Sequence, residues 1–322
     1  MSNIVVTGAT SMIGVALINS IIKNEKDVKI YAVIKPGSRK IERVPVHDSI
    51  VVILCDVEDY SNLPNIINEQ CDIFYHLAWP RTDTYDENYI DIIQKVNSIR
   101  HEVEAVNAAY CLGCKKFVGA GTQAEYGVNI QDVINENSLC NPVRADGIAH
   151  LAAGKLAKIV ADKYNMVCIW TRIFSVYGIN DRENSMISIT INKLIKQEHC
   201  SFSDAEQVWD YIYEDDIGDA LYLLGKKCEK SKVYCVANGN ALPLKEYIDI
   251  IKEVVDPSAE LGYGEISLPN NPIMNLEVDV SRLKADVGWV PKVEFSDGIK
   301  KIYEHILNNE NDRCKQEMKN EQ

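Results

Sequence analysis

Ile4-Val5-Val6-Thr7-Gly8-Ala9-Thr10-Ser11-Met12-Ile13-Gly14 is a run of branched apolar residues ending in a glycine turn, and Val15, Leu17, Ile18 and Ile21 continue it at helical spacing. Branched residues favour a strand, and apolar positions three and four apart favour a helix with one buried side. A strand therefore passes straight into a helix between Gly8 and Gly14. Glycine at such a turn lets the backbone approach a pyrophosphate, which then sits on free N–H groups at the positive end of the helix. The segment from Gly8 through Ser11, Met12 and Ile13 to Gly14 offers those amides. Ser11 stands where a three-glycine fingerprint has its middle glycine, and taken alone the pattern also suits an ordinary strand-to-helix junction.

Outward from this turn the same rhythm repeats. Lys29 to Ile34, Val51 to Cys55, Ile73 to Leu77, Lys116 to Ala120 and Val167 to Ile173 are further short apolar runs separated by helical patterns. Alternation of this kind predicts an α/β fold: a Rossmann-type, doubly wound parallel sheet with helices on both faces and right-handed crossovers. After Tyr177 the pattern changes to mixed helices, loops and short strands, punctuated by Pro257, Gly262, Gly264, Pro269 and Pro272. The expected organisation is a dinucleotide-binding domain over 1–176, with 205–237 returning to it. A smaller mixed α/β substrate-binding region spans 177–307, and a polar, flexible tail 308–322.

Composition excludes several classes. With 322 residues, 46% of them hydrophobic, the chain can bury one main core and a smaller one. A net charge of -13 and a pI near 5.0 argue against holding nucleic acid or an anionic membrane by charge. No apolar stretch is long enough to span a bilayer, and Ile4 follows no basic region or cleavage site, so the expectation is a cytoplasmic protein. The 10 cysteines are scattered through apparent strands and helices and read as small buried hydrophobes. Cys111 and Cys114 form a CxxC, but no second pair or nearby histidine completes a metal set, so no metal is expected.

Asp56 and Val57 follow the third strand, where a carboxylate can accept from an adenine amino group, and His76-Leu77-Ala78 closes the fourth. At this point the chain resembles the extended short-chain dehydrogenase/reductase family, which holds nucleotide-sugar epimerases, dehydratases and keto-sugar reductases. The family's Thr-Gly-x-x-Gly-x-x-Gly appears as Thr7, Gly8, Ser11 and Gly14, beside its Asp-Val and His-Leu-Ala motifs. The second strand ends Lys35-Pro36-Gly37-Ser38-Arg39, without the acidic residue that receives an adenosine ribose 2′-hydroxyl. Lys35 and Arg39 instead favour a 2′-phosphate, so NADP is preferred with NAD possible, unless both are solvated loop cations.

The resemblance identifies the remaining sites residue by residue. In Gly121-Thr122-Gln123-Ala124-Glu125-Tyr126-Gly127 it makes Thr122 the residue that binds the reacting sugar hydroxyl, and it makes Asn97 the helix asparagine that supports the site. A Pro-x-x-x-Tyr-x-x-x-Lys motif should follow. Pro142 and Gly147 are in place, yet Asp146 stands at the tyrosine and His150 at the lysine that also holds the cofactor ribose. A rival register pairing Leu151 with Lys155 ignores Pro142 and Gly147 and still supplies no tyrosine. The family tyrosine moves a hydroxyl proton while hydride passes to or from the nicotinamide, with the lysine lowering the phenol pKa. Asp146 and His150 lie one helical turn apart and can form a carboxylate–imidazole pair, whose carboxylate would raise the histidine pKa. The same pair also suits a salt bridge left after the standard chemistry was lost.

Gln123-Ala124 replaces the Asp-Glu pair of the family's dehydratases, which argues against dehydration, and Glu125 is expected to point away from Thr122 if the segment stays extended. Trp79 and Arg81 fall on the substrate side. Ile173, Ser175 and Tyr177 match the segment lining nicotinamide and sugar, and Trp209 and Tyr211 match the segment beside the nucleotide. Many members carry arginine where Trp209 stands. Its loss removes a diphosphate contact, while an indole can stack on a base or pack between domains. With the closing Gly288-Trp289-x-Pro291 the likeness runs from about Asn3 to Leu307. It implies an epimerase or keto-sugar reductase acting on a nucleotide-activated sugar, or alternatively a dinucleotide-binding sensor or partner of an active paralogue. The helix from Ile90 to Tyr110 carries apolar positions suited to a homodimer.

Overall fold

A computed structural model describes residues 2–80, 89–128, 133–268 and 272–320. The chain alternates strands and helices as its apolar runs require. In order come β1 (Ser2–Thr7), α1 (Met12–Asn24), β2 (Val28–Ile34), β3 (Ile50–Leu54), the single turn α2 (Leu63–Ile66) and β4 (Ile73–His76). Then follow α3 (Tyr89–Cys111), β5 (Lys116–Thr122), α4 (Ala145–Lys163), β6 (Val167–Ile173), β7 (Ser175–Tyr177), α5 (Met186–Ile195), β8 (Cys200–Ser201), β9 (Val208–Trp209), β10 (Tyr211–Tyr213), α6 (Glu214–Lys227) and β11 (Lys232–Val236).

Seven strands form one sheet in the order β11-β6-β5-β4-β1-β2-β3, and each pairing is parallel. Side chains alternate across it. Ile4 and Val6 of β1 join Leu17, Ile18, Ile217 and Leu221 of α1 and α6 in one core, and Val5 joins Ala105, Ala109, Ala157 and Ala161 of α3 and α4 in another. Burial on both faces explains why these strands are apolar throughout rather than at every second residue. Cys55, Cys168 and Cys235 are buried with them.

Strand order reverses between β1 and β4, and in open α/β sheets the crevice beyond such a reversal is where ligands bind. A third, smaller core gathers Tyr177, Ile187, Ile191, Tyr213, Ile251, Ile299 and Ile302. It is built by β7, β10, α5, α7 (Leu244–Val255) and, beyond α8 (Ser281–Val287), α9 (Phe295–Asn320), beside short pairings of β9 with Leu242–Pro243 and of β8 with Leu261–Gly262. Helix α9 runs to Asn320, through the segment whose polar composition reads as a flexible tail. Among the described residues no helix is long and apolar enough to cross a membrane.

Candidate active site

The reversal point is shaped by two glycines. Gly8 has φ +68°, and a Cβ there would lie 2.7 Å from the backbone carbonyl of Leu77, while a Cβ on Gly14 would lie 2.3 Å from the Gly8 oxygen. Ser11 caps α1: its N–H donates to the Gly8 carbonyl at 2.9 Å and its Oγ accepts from the Gly14 N–H at 3.0 Å. The serine thus uses one first-turn amide for itself, and the amides of Met12 and Ile13 stand outside the intrahelical ladder.

Around this turn lies a cavity of about 340 Å³, lined by Gly8, Ser11, Met12, Asp56, Val57, Leu77, Ala78 and Trp79, with Lys35, Lys40 and Arg43 among the cations at its wall. Lys35 Nζ lies 3.5 Å from Asp56 Oδ2. Arg39 is exposed and does not line the cavity. The chain turns at Gly37 (φ +73°) and enters a short helical turn, Ile41–Arg43, which brings Lys40 and Arg43 back to the wall instead. Arg43 Nη1 donates to the Asn180 carbonyl at 3.4 Å. The indole Nε1 of Trp79 is buried with no hydrogen-bond partner among the described residues. Close backbone, first-turn amides, a carboxylate beyond β3 and an unpartnered donor together fit a dinucleotide.

Thr122 closes β5, paired with Ile173 of β6, and caps the single turn Gln123–Tyr126. Its Oγ1 accepts from the Ala124 N–H at 3.3 Å. Glu125 does not point away, because the chain leaves the extended form at this turn. Its Oε1 accepts from the Thr122 N–H at 3.1 Å and from Trp170 Nε1 at 2.9 Å, and its Oε2 from Arg172 Nε at 2.8 Å. Glu125 is fully buried, so this ion pair and its hydrogen bonds hold the Thr122 turn from behind.

Helix α4 meets the same turn at Gly147, where a Cβ would lie 2.3 Å from the Ala124 carbonyl oxygen. The contact brings Asp146 and His150 to the corner that holds Thr122. Leu151 and Lys155 of the rival register line a separate groove with Trp170 and Lys232. Asp146 and His150 do not form a hydrogen-bonded carboxylate–imidazole pair. His150 Nδ1 lies 2.9 Å from the backbone oxygen of Asp146 and 3.7 Å from its Oδ1. The carboxylate instead takes Lys95 Nζ at 2.7 Å.

The charge states follow from these contacts. A carbonyl only accepts, so Nδ1 carries the imidazole proton and Nε2 keeps its lone pair. Burial pushes the His150 pKa down and outweighs the opposing pull of Asp146, so the expected rise is reversed. Burial acts upward on Asp146, but the neighbouring His150 and Lys95 carry its pKa below the usual value, and the Lys95 ammonium is the partner that keeps it ionised. On its other side the His150 ring stacks on Trp79, with centroids 3.6 Å apart and planes 18° apart.

Asn97 lies on the exposed face of α3, away from this corner. The inward stripe is Lys95, Ser98, Glu102 and Ala105, at helical spacing, and a residue two positions from Lys95 lies about 200° round the helix. Lys95 was not singled out by any motif. Only its place in that stripe marks it.

On the substrate side Trp209 Nε1 donates to Ser175 Oγ at 2.7 Å, and Ser175 Oγ donates to Gln123 Oε1 at 3.1 Å. Three expected substrate residues are thereby joined, and the Trp209 indole N–H is engaged within the protein. Tyr177 is a core residue: it is 1% exposed, packs on Tyr213 and Phe295, and donates to the Phe295 carbonyl. Tyr211 remains half-buried at the edge of that aromatic group, against Tyr247. Arg81 lies outside the described residues.

Comparison with known proteins agrees with this geometry. Residues 4–237 match the NAD dependent epimerase/dehydratase family. The chain is 24% identical over 307 residues to CDP-abequose synthase of Salmonella muenchen, covering 93% of this chain and 96% of that protein. It is 23% identical over 322 residues to a putative UDP-glucose 4-epimerase of Methanocaldococcus jannaschii, covering 95% and 99%. The structure of UDP-glucose 4-epimerase from Thermotoga maritima with UDP-glucose matches with a TM-score of 0.81 at 21% identity, over 95% of this chain and 99% of that one. UDP-glucuronic acid 4-epimerase from Bacillus cereus in complex with NAD matches with a TM-score of 0.81 at 20% identity, again over 95% and 99%. Sheet order, glycine turn and family match converge, and the chain belongs to the NAD dependent epimerase/dehydratase family, within the extended short-chain dehydrogenases/reductases.

Proposed function

We propose that the protein is an NAD(P)-dependent enzyme of nucleotide-sugar chemistry, a 4-epimerase or keto-sugar reductase, in which His150 with Asp146 replaces the family's tyrosine and lysine. The observation that carries this reading is the state of His150. Its Nδ1 lies on a backbone carbonyl and burial lowers its pKa, which favours a neutral ring with Nε2 as the acceptor; it stands on the helix that meets the Thr122 turn, and its ring stacks on a residue of the dinucleotide cavity. A bound dinucleotide supplies hydride exchange at carbon. The chain's part is to hold it at Gly8, Ser11, Met12, Ile13 and Gly14, with Asp56 and Val57 at the adenine and Leu77, Ala78 and Ile173 along its length.

Thr122 offers a hydroxyl that both donates and accepts, suited to an oxygen alternating between alcohol and ketone. His150 Nε2 takes the proton as the alcohol oxygen becomes a carbonyl and returns it in the reverse step. Gln123, Ser175 and Trp209 form the wall facing the sugar and nucleotide. The cavity wall carries Lys35, Lys40 and Arg43 against Asp56, which favours the extra phosphate of NADP. Ile92 and Val96 of α3 and Ile148, Leu156 and Ile159 of α4 are exposed on two helices that pack together, an apolar face suited to a homodimer.

The second reading is a dinucleotide-binding protein with little turnover, acting as a sensor or as the partner of an active paralogue. It is favoured by the Lys95–Asp146 bridge and the Trp79–His150 stack, which occupy the altered residues internally. Purified protein incubated with NAD, NADP, their reduced forms and a panel of nucleotide sugars decides between the two. Absorbance change of the nicotinamide or sugar interconversion supports the enzyme, and binding without either supports the sensor.

A further inference from the structure

Lys95 is 3% exposed, and its ammonium bridges two elements: Asp146 Oδ1 on α4 at 2.7 Å, and the Pro80 carbonyl after β4 at 2.9 Å. Pro80 follows Trp79, whose ring lies on His150. One side chain from α3 therefore fastens both neighbours of the imidazole, the carboxylate below it and the segment carrying the indole above it. We propose that Lys95 is the positioning residue of the acid/base group, drawing Asp146 off the imidazole so that His150 stays neutral with Nε2 ready to take a proton.

With Lys95 present, Asp146 has a cation at hydrogen-bond distance and His150 Nδ1 is left to a neutral carbonyl. Without it, His150 Nδ1 stands 3.7 Å from the carboxylate, and a rotation of the side chain would make an imidazolium–carboxylate pair. That pair would hold its proton through the pH range in which a base is needed. Among the described residues the charged groups acting on His150 are Asp146 on its own helix, Glu125 from the turn after β5 and Lys95 from α3. The first two favour the charged ring, and Lys95 opposes it. Burial lowers the ring's pKa most, and since Glu125 is already bound to Arg172, Asp146 and Lys95 are the charges left to tune it.

This inference rests on the reading of His150 as the proton acceptor, and the experiment separates the two. The titration midpoint of His150 is measured by NMR on the intact protein in wild type, Lys95→Met and Lys95→Arg, beside the pH profile of turnover. Lys95→Met should raise the midpoint by roughly one unit, the lower end of the effect of a charge at this range, and move the acid limb of the turnover profile with it. Lys95→Arg should restore both. An unmoved midpoint in dinucleotide-binding Lys95→Met protein overturns the proposal. A moved midpoint with an unmoved turnover profile supports Lys95 and removes His150 from the chemistry. Should Lys95→Met fail to fold, Asp146→Asn gives the converse test: it leaves Lys95 without its carboxylate and should lower the His150 midpoint, and no change there also overturns the proposal.

Discussion

Replacing Glu102 with glutamine should change how stability depends on pH, in a direction set by two buried groups. Glu102 and His76 are 0% and 1% exposed, with Glu102 Oε2 3.5 Å from His76 Nε2, and neither carboxyl oxygen of Glu102 has a hydrogen-bond partner among the described residues. Burial raises the Glu102 pKa well above its ordinary 4.5 and pushes His76 from 6.5 down to about 3. The folded pair therefore carries one proton, on Glu102. The unfolded pair carries two below 4.5, one between 4.5 and 6.5, and none above 6.5. Stability rises with pH where the unfolded state binds more protons and falls where the folded state does. It is lost below 4.5, where the unfolded carboxyl gains a proton beside an already protonated histidine, is level between, and is lost above 6.5 while the folded carboxyl keeps its proton. Each unit above 6.5 in which the folded carboxyl keeps its proton costs about 1.4 kcal/mol. Glutamine keeps the shape and removes the carboxyl's titration. His76 still titrates in the variant, so urea denaturation of wild type and Glu102→Gln across pH 5.5 to 8.0 should show the variant gaining on wild type at every step, by about 1.4 kcal/mol per pH unit for as long as the folded carboxyl keeps its proton. Other raised carboxyls, Asp210 and Glu214, appear in both proteins and cancel in the difference. Parallel curves would refute the reasoning and make Glu102 an ionised partner of His76.

The cofactor site yields two further tests. Gly8→Val puts a side chain where a Cβ already meets the Leu77 carbonyl at 2.7 Å and φ is positive, so dinucleotide binding by calorimetry should be abolished; retained affinity would detach the cofactor from this turn. Wild type should bind NADP more tightly than NAD, and Lys40→Ala with Arg43→Ala should remove roughly 1.5–3 kcal/mol per lost contact from NADP alone, whereas equal affinities would reassign these cations to solvent. His150→Ala should lower turnover at least about a hundredfold with binding intact, and undiminished turnover would remove it from the reaction.

The fold was legible because the features that decide it are local: a glycine turn between a strand and a helix, and apolar runs long enough to be buried on both faces. The site was legible only where position along the chain equals position in space. Motif matching located Asn97, but helix rotation decides what faces inward, and that face belongs to Lys95 and Ser98. Alternation along an extended chain turned Glu125 away from Thr122, and one helical turn with Thr122 as its cap brought it back. The direction of the His150 shift was misread for a related reason. A sequence shows a histidine's neighbours four residues away but not the ring stacked over it or the lysine that claims its carboxylate. Tyr177 stands two positions beyond Ser175 in β7, which strand alternation would put on the same side, yet its ring is packed in the aromatic core with Tyr213 and Phe295.

The altered pair and Lys95 belong to one arrangement of charge. Asp146 and Lys95 cancel, and His150 is neutral, so the corner carries no net charge. A tyrosine at 146 with a lysine at 150 would leave the Lys95 ammonium without its carboxylate and set a second ammonium at the position of the imidazole, where each disfavours the other. On that assignment the family's usual residues would face an uncompensated Lys95 on this α3. It follows that Asp146→Tyr with His150→Lys should be less stable than wild type, and that adding Lys95→Met should recover much of the loss by removing the like charge. Thermal unfolding and dinucleotide affinity of the double and triple variants check this directly. If the double variant is as stable as the triple, Lys95 is not coupled to the pair, and the three residues came together independently. If the triple variant is the better folded and turns over a nucleotide sugar, loss of tyrosine and lysine was tied to the arrival of a lysine on the neighbouring helix. The proton then moves through an imidazole because that helix already supplies the cation.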